Sequence, residues 1–263
     1  MIKSSYQFTH AIVRRPAKSI IKGLRAIDTG SPDYSQMISD HKNYIHALTF
    51  AGLKVICLTA IDEFPDGQFV EDTALCLPEA LILMRPGTPS RLGEVSEIAP
   101  KLRKLFKKVF EIEEPGHIEG GDILITDKEI IVGLSARTDE SGISQLSKIV
   151  KSLGYLIREV ITPPEILHLK TDCSVLGPDK ILSTKRLQSS GCFDGYKVIN
   201  VADGEEAAAN VIHVNDYVIM PKGFPKTKVI LENNGYKVQE INNTECAKLD
   251  GGMSCLSLRL NMI

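Results

Sequence analysis

Five times along this 263-residue chain an acidic residue in a loop precedes a short apolar strand: VEDTALCL, GGDILIT, KTDCSVLG, VNDYVIMP and DGGMSCLSL. The first three aspartates, Asp72, Asp122 and Asp172, stand about 50 residues apart, and the later units are shorter. A recurrence on that scale marks small supersecondary modules, none of which buries a core alone. Modules set around an axis aim their loops at a common centre. Aspartate ahead of a strand is also ordinary turn chemistry. Each instance alone is therefore weak, and the recurrence carries the argument.

Between these points the periodicity alternates. Tyr34, Met37, Ile38, His41, Tyr44, Ile45 and Leu48 fall at helical spacing, Gly52 is placed to cap the end, and LKVICL then reads as a strand. A second helix is expected from Ser90 through EVSEIAPKLRKLF, with Pro100 kinking or interrupting it. A third covers ESGISQLSKIVKSLG and ends at Gly154. The class is α/β. No Pro/Gly/Ser-rich linker divides the chain, so residues 1–263 are expected to form one catalytic domain.

A net charge of −2 with no block of like charge argues against nucleic acid and against an anionic membrane as partners. The six cysteines contain no CxxC pair, which argues against a zinc framework. The amino-terminal MIKSSYQFTH has no apolar core of a secretory signal, and no stretch approaches a membrane span. The expected compartment is the cytoplasm, where thiols stay reduced.

Chemistry concentrates in a few places. Cys255 follows a glycine pair in DGGMSC and precedes the strand-like LSLRL. A thiolate is the strongest ready-made protein nucleophile, provided something supports it. The competing reading is a buried, inert cysteine. His168 in ILHLKTDCS is either a satisfied core histidine or the acid–base partner of that thiol. FPDGQFVEDTAL gathers Asp66, Glu71 and Asp72 in an apolar setting, able to hold a metal or a guanidinium. PGHIEGGDIL places His117 and Glu119 on one strand face, an incomplete metal pair. Arg85, Arg91 and Arg137 lie near turns, where an arginine fork can take a carboxylate.

The segments FPDGQFVEDTAL, RPGTPSR, IEGGDIL, VGLSARTDESG, LHLKTDCS and LDGGMSC occur in an order that resembles the dimethylarginine dimethylaminohydrolases, part of the amidinotransferase-type (pentein) superfamily. The likeness runs from THAIVRRP to CLSLRL. It implies a five-fold pseudosymmetric α/β propeller of ββαβ modules that hydrolyses Nω-methylated arginine to citrulline and a methylamine. It implies Cys255 as nucleophile, His168 as general acid and base, and Glu119 as the carboxylate orienting the histidine. Asp72 is implied to grip the guanidinium with Glu71 beside it, and Arg91 and Arg137 to hold the α-carboxylate. Asp66 and Leu24 would meet the α-amino end, Leu24 through its backbone on a lid, and Leu249 would make a backbone contact near the nucleophile. No metal or organic cofactor is expected. The expected partner is a small methylarginine, with a homodimer as the candidate self-association. The alternatives are an arginine deiminase acting on free arginine, or a non-catalytic arginine-binding module.

Overall fold

The computed structural model describes residues 4–262. The chain first lays down β1 (His10–Arg14), α1 (Tyr34–Phe50) and β2 (Lys54–Leu58). Four repeats of strand, strand, helix and strand follow. The first is β3 (Ala74–Cys76), β4 (Leu81–Leu83), α2 (Leu92–Leu102) and β5 (Val109–Glu111). The second is β6 (Ile123–Ile125), β7 (Ile130–Leu134), α3 (Glu140–Ser152) and β8 (Ile157–Ile161). The third is β9 (Cys173–Gly177), β10 (Lys180–Ser183), the one-turn α4 (Lys185–Gln188) and β11 (Lys197–Asn200). The fourth is β12 (Ile212–Val214), β13 (Tyr217–Pro221), α5 (Pro225–Asn233) and β14 (Lys237–Ile241). A short α6 (Thr244–Ala247) leads to β15 (Leu258–Leu260), which pairs antiparallel with β1 and completes the opening unit.

The result is five three-stranded sheets, each with one antiparallel and one parallel pairing. The innermost strands β15, β3, β6, β9 and β12 surround an axial cavity of about 1050 Å³. Five apolar clusters hold the ring together, and each draws on two neighbouring modules. One joins Ile12 and Leu258 to Leu81 and Ile98, and another joins Leu176 and Leu182 to Val218 and Leu231. No module owns a core, as the repeat implied. This is the expected five-module α/β propeller.

The helices follow local chemistry. Asp33 caps α1 by accepting the Gln36 N–H at 2.8 Å, and Gly52 ends it at φ +94°. Asp139 does the same for α3, accepting from Gly142 at 2.7 Å, and Gly154 sits at φ +87°. The second helix differs from expectation at both ends. Ser90 lies in a 3-10 turn, Pro89–Arg91, that feeds α2, and Pro100 sits inside the last turn, two residues from the end. A proline there lacks the N–H for one late hydrogen bond, and the helix ends two residues beyond it.

Four 3-10 turns, at Val70–Thr73, Gly120–Asp122, Leu169–Thr171 and Ser254–Leu256, precede the innermost strands β3, β6, β9 and β15, and a fifth, Glu206–Ala209, precedes β12. Neighbouring turns touch around the axis. The fourth sequence repeat is corrected here: Asp216 in VNDYVIMP lies in the hairpin between β12 and β13, beside Asn215 at φ +53°. The equivalent turn of that module is Glu206–Ala209, which carries no aspartate.

Candidate active site

The ring of turns delivers the chemistry. Asp72 lies in the first, Glu119 immediately precedes the second, His168 immediately precedes the third, and Cys255 lies in the last. Glycine pairs make the close approach possible. A β-carbon on Gly120 would sit 2.0 Å from the Glu71 carbonyl oxygen, and one on Gly121 would sit 2.8 Å from the His168 ring. Beside the nucleophile, a β-carbon on Gly251 would strike the Phe69 ring at 2.5 Å and one on Gly252 the Asn210 side chain at 2.2 Å.

Eight of the ten sequence-derived residues line one cavity of about 660 Å³: Cys255, His168, Asp72, Asp66, Arg91, Arg137, Leu24 and Leu249. Glu119 stands behind it, fully buried, with Oε2 2.6 Å from His168 Nε2. Glu71 is the exception. Its carboxylate turns away toward the axial cavity, where Lys170, Arg259 and the Ser254 hydroxyl occupy it. The structure thus does not bring Glu71 to the lining of this cavity beside Asp72. Adjacent residues of the turn face opposite sides, and only Asp72 faces the cavity.

His168 is held by its Nε2, so Nδ1 is the ring nitrogen left for a ligand. Burial disfavours the imidazolium, but the Asp122 carboxylate, the Glu119 hydrogen bond and the Asp72 charge outweigh it and raise the ring to about 9. Asp72 goes the other way. Burial works to raise it, yet Arg91, the His168 ring and the Gly121 N–H hold it at about 2. Its Oδ2 takes Arg91 Nη1 at 2.7 Å and its Oδ1 takes the Gly121 N–H at 2.9 Å.

Arg91 is buried and largely committed. Glu94 takes Nε and Nη2, the Phe69 carbonyl takes Nη2, and Asp72 takes Nη1. Of five N–H donors, one on Nη1 remains for a ligand. Glu94 shares this arginine with Asp72, but burial pushes it up to about 7 despite Arg91, and the charges of Asp66 and Asp72 add to the rise. Arg137 is freer: it contacts the Thr88 hydroxyl and stands 3.7 Å from Glu119. Burial raises the Asp66 carboxyl against the pull of Arg91 and of the Leu24 N–H. The segment around Leu24 is pinned at two points, Leu24 N–H to Asp66 at 3.0 Å and Ala26 N–H to Asp250 at 2.6 Å. With its N–H so engaged, Leu24 has its carbonyl left to offer.

Cys255 is half-buried and accepts the Gly252 N–H at 3.4 Å. Burial, then the charges of Glu71 and Asp72, push its thiol up to about 12, against the pull of the Gly252 N–H and Lys170. The empty site at neutral pH thus pairs a thiol with an imidazolium.

Asp72, Glu119 and His168 bring ligand atoms within 4.8 Å of one another, a spacing a divalent cation accepts. Their lone pairs are engaged by Arg91, by the Gly121 and Gly87 N–H groups and by each other. The His117–Glu119 pair does not assemble. His117 bonds Asp139 through Nδ1 and Arg85 through Nε2, which also removes Arg85 from the site.

Three supporting residues escaped the sequence reading. Glu94 was detectable as an acid three positions after Arg91 on a helix. Asn210, which receives the Ser254 N–H at 2.9 Å, and Arg259 had no local motif to mark them.

Residues 58–220 match a family model described as Arginine deiminase. Over 253 residues the chain is 38% identical to the N(G),N(G)-dimethylarginine dimethylaminohydrolase of Pseudomonas aeruginosa, covering 96% of this chain and 99% of that one. A structure of that organism's enzyme, a cysteine-to-serine mutant complexed with citrulline, has a TM-score of 0.94 at 37% identity, over 97% of this chain and 100% of its own. A dimethylarginine dimethylaminohydrolase adduct with S-methyl-L-thiocitrulline, in a histidine-to-glycine variant, has a TM-score of 0.93 at 37% identity, over 96% and 100%. With its five-module ring and its late cysteine facing a braced histidine, the chain belongs to the dimethylarginine dimethylaminohydrolase family.

Proposed function

We propose that this chain, acting as one catalytic domain, is a cysteine hydrolase that converts Nω-methylated arginine to citrulline and a methylamine. The observation that carries this is the meeting of Cys255, His168 and Asp72 on one cavity, with Glu119 bracing the histidine at 2.6 Å. The Pseudomonas relative that bears the activity in its name, and the citrulline and thiocitrulline complexes, support the same reading. Among the described residues no helix is long and apolar enough to cross a membrane.

A substrate guanidinium beside Asp72 supplies the positive charge that the thiol lacks, so binding favours loss of the Cys255 proton to water. The thiolate adds to the guanidinium carbon. The imidazolium of His168 protonates the methylated nitrogen, which leaves as a neutral amine, and a cationic thiouronium remains on Cys255. Neutral His168 then takes a proton from water as it attacks that carbon. Collapse releases citrulline, and the hydroxyl proton of the intermediate passes to sulfur, which restores the Cys255 thiol. Arg137 and the free N–H of Arg91 are the donors for the α-carboxylate, and Asp66 is the acceptor for the α-amino group.

Incubation with asymmetric dimethylarginine is expected to release citrulline and dimethylamine in equal amounts. Faster release of ammonia from free arginine would overturn the substrate assignment. The two ends of the substrate separate in binding. Arg137→Ala is expected to weaken substrate and citrulline alike, by about 1.5–3 kcal/mol for a lost charged hydrogen bond, because both keep the carboxylate. Asp72→Asn is expected to cost far more against the cationic substrate than against neutral citrulline. Calorimetry in a Cys255→Ser background measures both. Equal losses for the two ligands in Asp72→Asn would reverse the proposed orientation.

A further inference from the structure

Behind the nucleophile turn, on the side of the axial cavity, four polar side chains meet. Glu71 accepts from Lys170 Nζ at 2.5 Å, Arg259 Nη2 at 3.0 Å and Ser254 Oγ at 2.7 Å. Arg259 Nη1 also donates to the Ser254 carbonyl at 3.2 Å, the Ser257 carbonyl at 3.0 Å and the Ser257 hydroxyl at 2.8 Å. It therefore clamps both ends of the turn that holds Cys255. Each of the other members is a near chain neighbour of a site residue. Glu71 precedes Asp72, Ser254 precedes Cys255, and Lys170 stands two residues past His168. The cluster ties three of the catalytic turns together, yet Glu71, Lys170 and Arg259 lie outside the lining of the substrate cavity. A buried carboxylate with two cations is stable only while the cations stay.

We propose that Lys170 and Arg259 are positioning residues for the reaction: through Glu71 they lock the nucleophile turn to the turns of Asp72 and His168, and they balance the Glu71 charge behind the thiol. The proposal rests on Cys255 being the nucleophile. The charged groups that act on this thiol are Glu71 and Asp72 from one turn and Lys170 from another; His168, Asp66, Asp250, Arg25, Arg91 and Arg137 line the same cavity, and Tyr44 and Cys246 belong to the apolar cluster that Cys255 packs against. Glu71 and Asp72 raise the thiol and Lys170 lowers it. Removing Lys170 alone leaves Glu71 less compensated and opposes the thiolate. Removing both charges restores the balance.

The test is alkylation of the ligand-free enzyme by iodoacetamide, followed by mass spectrometry on the peptide carrying Cys255. Below its pKa a thiol reacts in proportion to its thiolate fraction. Lys170→Met is expected to slow the modification about tenfold, Glu71→Gln to speed it about tenfold, and the double variant to react near the wild-type rate. Lys170→Arg is expected to keep the wild-type rate. In turnover, Lys170→Met is expected to lower kcat with KM for dimethylarginine little changed. Alkylation needs no turnover, so this inference and the assigned reaction fail separately. An unchanged rate in Lys170→Met, or a double variant as slow as Lys170→Met, overturns the charge balance. A loss confined to KM overturns the positioning role.

Discussion

Cys255→Ser is expected to lower turnover of dimethylarginine by about 10⁴-fold or more while the fold and citrulline binding persist. A hydroxyl fits the space of the thiol, and the Gly252 N–H that meets the sulfur at 3.4 Å can meet an oxygen instead. What is lost is the nucleophile, because a serine hydroxyl has no base at its side. The imidazole on the same cavity, His168, rests protonated with its Nε2 on Glu119. Acid-quenched wild-type enzyme in turnover is expected to carry a substrate-derived mass on the Cys255 peptide, and the variant none. A serine variant that retains full turnover would remove Cys255 from the mechanism.

Much of this was legible before any coordinates. The period of the first three aspartates announced a ring of modules, and the ring exists. The reason for the period was only partly right. Asp122 and Asp172 are structural: Asp122 takes the Ser135 and Thr138 hydroxyls and the Leu169 N–H, and Asp172 takes Thr184 and Arg186. They tie one module to the loop or helix that follows its own second strand, or to the next turn. Only Asp72 opens on the cavity. One side-chain chemistry served two purposes, and local sequence cannot separate them, because both need an acid beside a 3-10 turn.

Facing was the other blind spot. Glu71 and Asp72 are adjacent, and spacing alone predicts that they diverge. It does not say which of the two turns to the cavity. That is decided by Lys170 and Arg259, about 100 and 190 positions away, which claim Glu71. The same distance hid Asn210, whose contacts to Gly252 and the Ser254 N–H exist only once the ring closes. Arg91 lies on the cavity, but nothing local in the sequence marks its joint commitment to Glu94 and Asp72. Its removal would strand two buried acids, which is why Arg137 is the cleaner probe of carboxylate binding.

His168→Ala is expected to block both halves of the reaction, and a choice of substrate separates them. With dimethylarginine the leaving amine needs a proton, and loss of the general acid is expected to cost about 10²–10⁴-fold in the first half alone. With S-methylthiocitrulline the leaving group is a thiolate, which departs without that proton. The variant is therefore expected to form an adduct on Cys255 and to stall there, since no base remains to activate water. Glu119→Gln keeps the proton carrier and loses only its orientation and charge, so its defect is expected to be smaller in both halves. The pH dependence has a definite sign. The folded-state value of His168, about 9, lies above the ordinary 6.5. The stability contributed by the imidazolium is complete below about 6.5 and is lost as pH rises through about 9. The stability gap between wild type and His168→Ala is expected to narrow over that window, and the amine-releasing step of the wild type to slow above it. Rapid hydrolysis of the thiocitrulline adduct in the variant, or a stability gap that widens from pH 6.5 to 9, would show that His168 is not the proton carrier described here.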